Sequence, residues 1–335
     1  MYNVANRSIK ELEELFRATA AKAGFSEAIV EKDFWVCLML DYLFHRCQYK
    51  EAFTFKGGTS LSKAWNVIKR FSEDIDLILD WRTLGYSKDE PNESRSNNKQ
   101  DKLNKEANEK AATFIGGELV DILRADFSQL LSHEHRFEID SADTQTILFH
   151  YPRIFHSKNL QQTVRLEIGP LAAWVPAQDC TITPYTAEKY PRLFKQKSSL
   201  VRTATAERTF WEKATILHKV ANFPESKPIP SRYSRHYYDI FCFCRNGFKQ
   251  KAFDKSDLLE TVALFKEKFY PSRGAQYGSA RIGTLMLSPP KHVLKALKQD
   301  YANMREMIYG EYPSFEEILE CIGNLEKEIN ERLIV

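Results

Sequence analysis

Apolar residues along this chain switch between two rhythms. Between Ser8 and Gly24, the positions Leu12, Leu15, Phe16, Ala20 and Ala23 recur at helical spacing, with Ser8 placed to cap the start and Gly24 to stop the end. A broader apolar face with Ile29, Phe34, Leu38, Leu40 and Leu43 predicts a second helix from Ser26 to about Phe44. A strand is expected over Ala52–Lys56, a helix from Thr59 to about Lys69, and a second strand over about Ile75–Asp80. Then the pattern breaks. Ser87 to Glu109 has almost no large apolar residue and is rich in Asn, Lys, Glu and Ser. The stretch 86–112 reads either as a mobile insertion, with a lid as its functional form, or as a solvated loop leading into a helix. Ala111–Leu131 reads as helix, interrupted by Gly116 and Gly117.

Residues 135–203 alternate as strands do. Arg136–Ile139, Thr146–Tyr151, Thr163–Ile168, Thr181–Tyr185 and Ser199–Arg202 are the expected strands, punctuated by prolines from Pro152 to Pro191. From Ala206 the rhythm is helical again, over about 206–221, 233–247, 251–269, 290–308 and 314–332. The last stretch places Leu319, Ile322, Leu325, Ile329 and Leu333 at close to helical spacing. The expected organisation is an α/β unit over 1–205, carrying the polar insertion, and a helical unit over 206–335. The chain has no internal repeat.

Composition narrows the class without naming a function. A chain of 335 residues, 43% hydrophobic and 28% charged, is an ordinary globular protein with room for two domains. A net charge of +3 gives no global basic field, so nucleic-acid binding would need a local groove. The cysteines Cys37, Cys47, Cys180, Cys242, Cys244 and Cys321 lack zinc-site spacing and read as reduced, buried thiols. No signal-peptide segment opens the chain and no run reaches the ~18 apolar residues of a membrane span, so a cytoplasmic protein with no membrane role is expected.

Chemistry concentrates in Lys56-Gly57-Gly58-Thr59-Ser60-Leu61-Ser62-Lys63 and, shortly after, Arg70-Phe71-Ser72-Glu73-Asp74-Ile75-Asp76-Leu77. Glycines let backbone approach phosphate oxygens, and a helix start offers free N–H groups to them. Asp74 and Asp76 are separated by one residue on an apolar strand, so both carboxylates share a face. Mg²⁺ prefers carboxylate and phosphate oxygens, and two such ions can clamp a phosphoryl displacement. The pair of motifs therefore predicts a nucleoside triphosphate held with two Mg²⁺. Gly57 and Gly58 would supply backbone, Thr59 or Ser60 a hydroxyl toward the β/γ-phosphates, and Lys63 a cation from the same helix. The hydroxyls could equally serve as helix caps. Arg70 reads either as a phosphate contact or as a surface group. No Walker P-loop pattern occurs.

These residues resemble the DNA-polymerase-β type of minimal nucleotidyltransferase, and within it the AbiEii/AbiGii family of bacterial nucleotidyltransferase toxins. Further stretches match: Val30-Glu31-Lys32-Asp33-Phe34-Trp35-Val36, Phe210-Trp211-Glu212-Lys213-Ala214, Ser234-Arg235-His236-Tyr237-Tyr238-Asp239 and Asp300-Tyr301-Ala302-Asn303-Met304. The resemblance implies an α+β fold with a mixed sheet, plus a C-terminal helical domain. It implies a third carboxylate on a neighbouring strand, best met by Glu167 as metal ligand or general base, with Glu138 and Asp140 as rivals. It also implies a functional lysine, Lys213, that reaches the triphosphate, and a late essential aspartate, Asp239. The implied acceptor is the 3′ end of a tRNA or a protein side chain, and the implied partner an antitoxin encoded nearby, in a toxin–antitoxin or phage-defence pair. Two other readings stay open: a small-molecule nucleotidyltransferase or kinase-like enzyme, and a non-catalytic nucleotide- or RNA-binding module. His236 reads as an acid/base or a hydrogen-bonded structural histidine, and Tyr237 and Tyr238 as base-stacking or core residues.

Overall fold

The computed structural model describes residues 1–157, 160–171 and 176–332, so Leu333 lies outside the described residues. The chain divides into two compact units. One takes Met1–Ala64 and Phe71–Ala204, the other Trp65–Arg70 and Thr205–Val335.

The first unit is built on a seven-stranded mixed sheet: β1 (Phe53–Lys56), β2 (Asp74–Leu79), β3 (Arg136–Ile139), β4 (Thr146–His150), β5 (Val164–Gly169), β6 (Ala177–Ile182) and β7 (Ser199–Ala204). Their spatial order is β3-β4-β5-β2-β1-β7-β6. β2 runs parallel to β5 and antiparallel to β1, and β1 runs parallel to β7. Helices of this unit are α1 (Tyr2–Ala5), α2 (Ile9–Ala23), α3 (Glu27–His45), α4 (Gly57–Lys63), α5 (Asn97–Phe114), α6 (Val120–Leu130) and α7 (Tyr185–Lys189). Phe53, Phe55, Ile75, Leu77, Ile147, Phe149, Val164 and Leu166 form one sheet face, which shares a core with Phe16, Phe34, Trp35, Leu38, Leu123 and Phe127 of the helices. The alternate positions, mostly polar in sequence, make the opposite face.

Local chemistry explains most boundaries. Ser8 caps α2 in a reciprocal box with Glu11, and Gly24 ends the helix at φ 72°. Ser26 caps α3. The polar stretch is not a loose insertion. α5 occupies 97–114 and buries Gln100, Leu103, Asn104, Ala107 and Ala111 at helical spacing. Small and amide side chains make that face, which is why hydropathy hides it. Gly116 and Gly117 do not break the helix; they lie in a π turn, Ile115–Leu119, that leads into α6.

Some expected boundaries need correction. The helix after the glycines begins at Gly57 and ends at Lys63, well short of Lys69. Asn66 adopts φ 51°, and Trp65–Arg70 departs to the second unit. The strand expected over Thr181–Tyr185 is β6, ending at Ile182; Pro184 caps α7 instead, and a proline-led segment cannot continue a ladder.

The second unit is helical: α8 (Ala206–Ala221), α9 (Ser234–Arg245), α10 (Phe248–Phe253), α11 (Asp257–Phe269), α12 (Lys291–Asn303) and α13 (Phe315–Asn330). The stretch expected as one helix over 251–269 is two. Ser314 and Glu317 form a second capping box at the start of α13. No helix among the described residues is long and apolar enough to cross a membrane.

Candidate active site

Register on the polar sheet face lines up the chemistry of the first unit. Lys56 is paired with Asp76, Asp76 with Glu167, and Glu167 with Thr146, one row across four strands. The next row runs Asp74, Arg165, Leu148 and Glu138. Neighbouring strands lie ~4.8 Å apart, so Glu167 is one strand from Asp76 whereas Glu138, on β3, is about 14 Å from β2. Glu138 is also engaged by His150 at 2.6 Å. Asp140 is engaged by Arg165. Of the three carboxylates weighed as partners for the aspartate pair, the register brings Glu167 beside it.

Arg165 was missed as a site residue, although it sits two before Glu167 on the same strand face. Its guanidinium lies 3.3 Å from Glu167 Oε1 and 4.0 Å from Asp74 Oδ1. It thereby balances a carboxylate-rich surface.

The glycine turn is fitted to the aspartates. Gly57 has φ 81°, and a Cβ there would fall 2.6 Å from the carboxyl carbon of Asp76. Only glycine permits this approach. No side chain caps the start of α4, so its first N–H groups remain available. Thr59 and Ser60 are buried, and neither is the N-cap. Thr59 donates to the Asp74 carbonyl, fixing α4 to β2, and Ser60 donates to the Gly57 carbonyl at 2.9 Å. Their oxygens can still accept, while their hydrogens are committed. Lys63 turns the other way: its ammonium lies 2.8 Å from Asp33 on α3, with both groups almost fully buried, and over the Tyr185 ring.

The matching stretch on α3 supports this frame. Lys32 Nζ lies 2.9 Å from Glu73 Oε2. Glu73 also accepts from the Gln161 N–H at 3.1 Å, which ties the start of β2 to the approach of β5. Glu31 accepts from the N–H groups of Ile154 and Phe155, at 2.6 and 3.1 Å. Three consecutive charged residues are thus buried, each with a designated partner.

The second unit holds Lys213 and Asp239. Lys213 Nζ is 2.6 Å from Asp239 Oδ2. Arg70 forks onto the same carboxylate, at 2.7 and 2.9 Å. Arg70 is therefore a buried partner of Asp239 and not a surface group. Burial alone would raise the Asp239 carboxyl, and the two cations reverse this and hold it well below the usual range. Burial draws the Lys213 ammonium down against the upward pull of Asp239. Two basic groups thus share one buried carboxylate. Tyr237 and Tyr238 are core residues, and His236 is buried.

Donor chemistry allows a metal. Asp74, Asp76 and Glu167 offer only carboxylate oxygens on one face, which suits a hard divalent cation. Among the described residues, no three His, Cys, Asp or Glu side chains already converge as a cage. Mg²⁺ does not need one, because one or two carboxylates with substrate phosphates suffice.

A family model described as "Nucleotidyl transferase AbiEii toxin, Type IV TA system" matches residues 41–321. Among solved structures, the fold is similar to MenT4, a nucleotidyltransferase toxin from Mycobacterium tuberculosis H37Rv, at 16% identity and a TM-score of 0.43, over 92% of this chain and 98% of that one. No curated protein matches.

Proposed function

We infer the reaction from one premise: this chain belongs to the AbiEii family of nucleotidyl transferase toxins of type IV toxin–antitoxin systems. It is a nucleotidyltransferase. The finer reading is that it moves a nucleoside monophosphate from a nucleoside triphosphate to an acceptor hydroxyl, releasing pyrophosphate. The acceptor is a tRNA 3′ end or a protein side chain, and an antitoxin encoded nearby restrains the activity. The observation that carries this reading is the sheet face on which Asp74 and Asp76 stand beside Glu167, closed by the Gly57 turn.

Asp74 and Asp76 would hold Mg²⁺, with Glu167 as third ligand or as the base that takes the acceptor's proton. Bound there, the metal would neutralise phosphate charge and polarise the α-phosphorus. The N–H groups of Gly58, Thr59 and Ser60 would receive triphosphate oxygens. Arg165 would screen the carboxylates from one another. In the second unit, Asp239 with Arg70 holds the Lys213 ammonium in place; the family resemblance is what assigns that lysine to the triphosphate. Lys63 positions α4 through Asp33 and is a weaker candidate for direct phosphate contact. Catalysis would rest on alignment and charge neutralisation, with no covalent intermediate.

The test incubates the protein with Mg²⁺ and each α-phosphate-labelled nucleoside triphosphate, with and without bulk tRNA, beside Asp74→Asn. Label on tRNA or on protein is expected, reduced at least about a thousand-fold by the substitution, and toxicity on expression should disappear with it. A fully toxic Asp74→Asn protein would sink the mechanism. A product heavier by one phosphate alone would indicate a kinase-like reaction.

A further inference from the structure

The second unit carries a thiol pair that the transfer chemistry does not use. α9 and α13 run side by side in the same direction. The rings of Tyr237 and Phe315 meet at 6.5 Å. Seven residues further along α9 stands Cys244, and six further along α13 stands Cys321. Both advances equal about 10 Å of helix, so the two cysteines face each other across the seam. Both line one solvent-open cavity of about 410 Å³, together with Arg245, Lys249, Glu317 and Glu328. Both are half-buried, whereas Cys37, Cys47 and Cys180 are buried. Lys249, on α10, bonds Glu328 of α13 at 2.7 Å.

The pair is polarised. Interaction with the Cys244 thiol lowers the Cys321 thiol below its ordinary value, with Arg245 and Lys249 adding to the effect against the cost of burial. Its partner's thiol is pushed up, first by the Cys321 sulfur beside it and then by burial. A thiolate beside cations and open to solvent is the reactive form of cysteine.

We propose that Cys244 and Cys321 form a reversible thiol–disulfide site, oxidised by small hydroperoxides entering the cavity. The Cys321 thiolate attacks a peroxide oxygen. An S–O bond forms, the O–O bond breaks, and the alcohol or water leaves with a proton from solvent. Cys244, giving up its proton, then attacks the sulfenic sulfur; the S–S bond forms and water departs. Two thiols are oxidised and one hydroperoxide is reduced. The bridge fixes the last turn of α9, the helix that carries Asp239 five residues earlier, to α13.

The test exposes the whole native protein to hydrogen peroxide, then counts free thiols and maps peptides. Loss of two thiols is expected, with a linked peptide pair containing Cys244 and Cys321 that dithiothreitol separates. In Cys244→Ser the reaction should stop at a dimedone-trapped sulfenic acid on Cys321. In Cys321→Ser, Cys244 should react roughly tenfold more slowly at pH 7. Equal rates in the two serine variants, or a bridge to another cysteine, would overturn the assignment. So would intact Cys321 in wild type at a peroxide dose that oxidises free cysteine.

Discussion

A methyl group at residue 57 has no space. Gly57→Ala would place it against the Asp76 carboxyl and strain a φ of 81°. Backbone strain of this kind costs about 1–3 kcal/mol. The larger consequence is chemical, since a shift of about 1 Å in a catalytic group can cost ~100-fold in rate. The expected outcome is a folded protein with transfer activity down at least ~100-fold and a melting temperature lowered by a few degrees, checked by the labelled-nucleotide assay and thermal unfolding. At this scale, local pattern was informative where the signal was local. Asp74 and Asp76 share a face because strand period is two, and that is readable from three residues. The partnership of Arg70 with Asp239 spans 169 residues and left no local trace. Arg165 was readable, because its alternation with Glu167 puts both on one face.

Elements position this site through buried charge. α3 reaches the start of β2 by Lys32 and Glu73, whose side chains are 1% and 3% exposed. Removing one partner of a buried pair strands the other and costs about 3–5 kcal/mol, while replacing both by apolar groups costs much less. Glu73→Gln is therefore expected to destabilise by about 3 kcal/mol in urea unfolding, because the buried Lys32 ammonium, which also donates to the Gln161 carbonyl at 2.7 Å, loses the charge of Glu73. The double change Lys32→Met, Glu73→Leu should recover more than half of that loss; no recovery would mean that the pair is not the source. The same logic shows why some elements were legible and others not. α2 and α13 announce themselves by capping boxes, a signal within four residues. α5 buries Asn104 and Gln100, so hydrophobic periodicity understates it. α4 stops at Lys63 because the chain leaves for other contacts, and nothing in the helix propensity of 64–69 encodes that departure.

At the scale of the whole molecule, buried carboxylates set the response to pH. Burial raises Glu31 to about 7, against the pull of its two backbone donors. In the unfolded chain a glutamate titrates near ~4.3. The folded state thus holds this proton to higher pH. The associated stability is complete below the unfolded value and is lost as pH rises through about 7. Over that shift the loss approaches about 3 kcal/mol. Asp239 behaves oppositely: its depressed value stabilises the protein above pH ~4 and withdraws that support only in stronger acid. Urea unfolding should therefore show stability falling between pH 5 and 8.5, with a distinctly flatter profile in Glu31→Gln. Equal slopes in the two proteins would refute the assignment to Glu31.

The detour of Trp65–Arg70 carries a consequence for how such a protein can be taken apart. The chain leaves the first unit after α4, contributes six residues to the second, and returns just before Asp74. The partition is therefore not a division of the chain into a front and a back. A cut after Ala204 yields a front piece that still contains Arg70 but has lost the carboxylate that neutralises it. The back piece keeps Asp239 and Lys213 without the guanidinium that forks onto that carboxylate. Modularity drawn from helices and strands in sequence order is crossed by one short thread, and inheritance, fusion or splitting of these two units must carry that thread along.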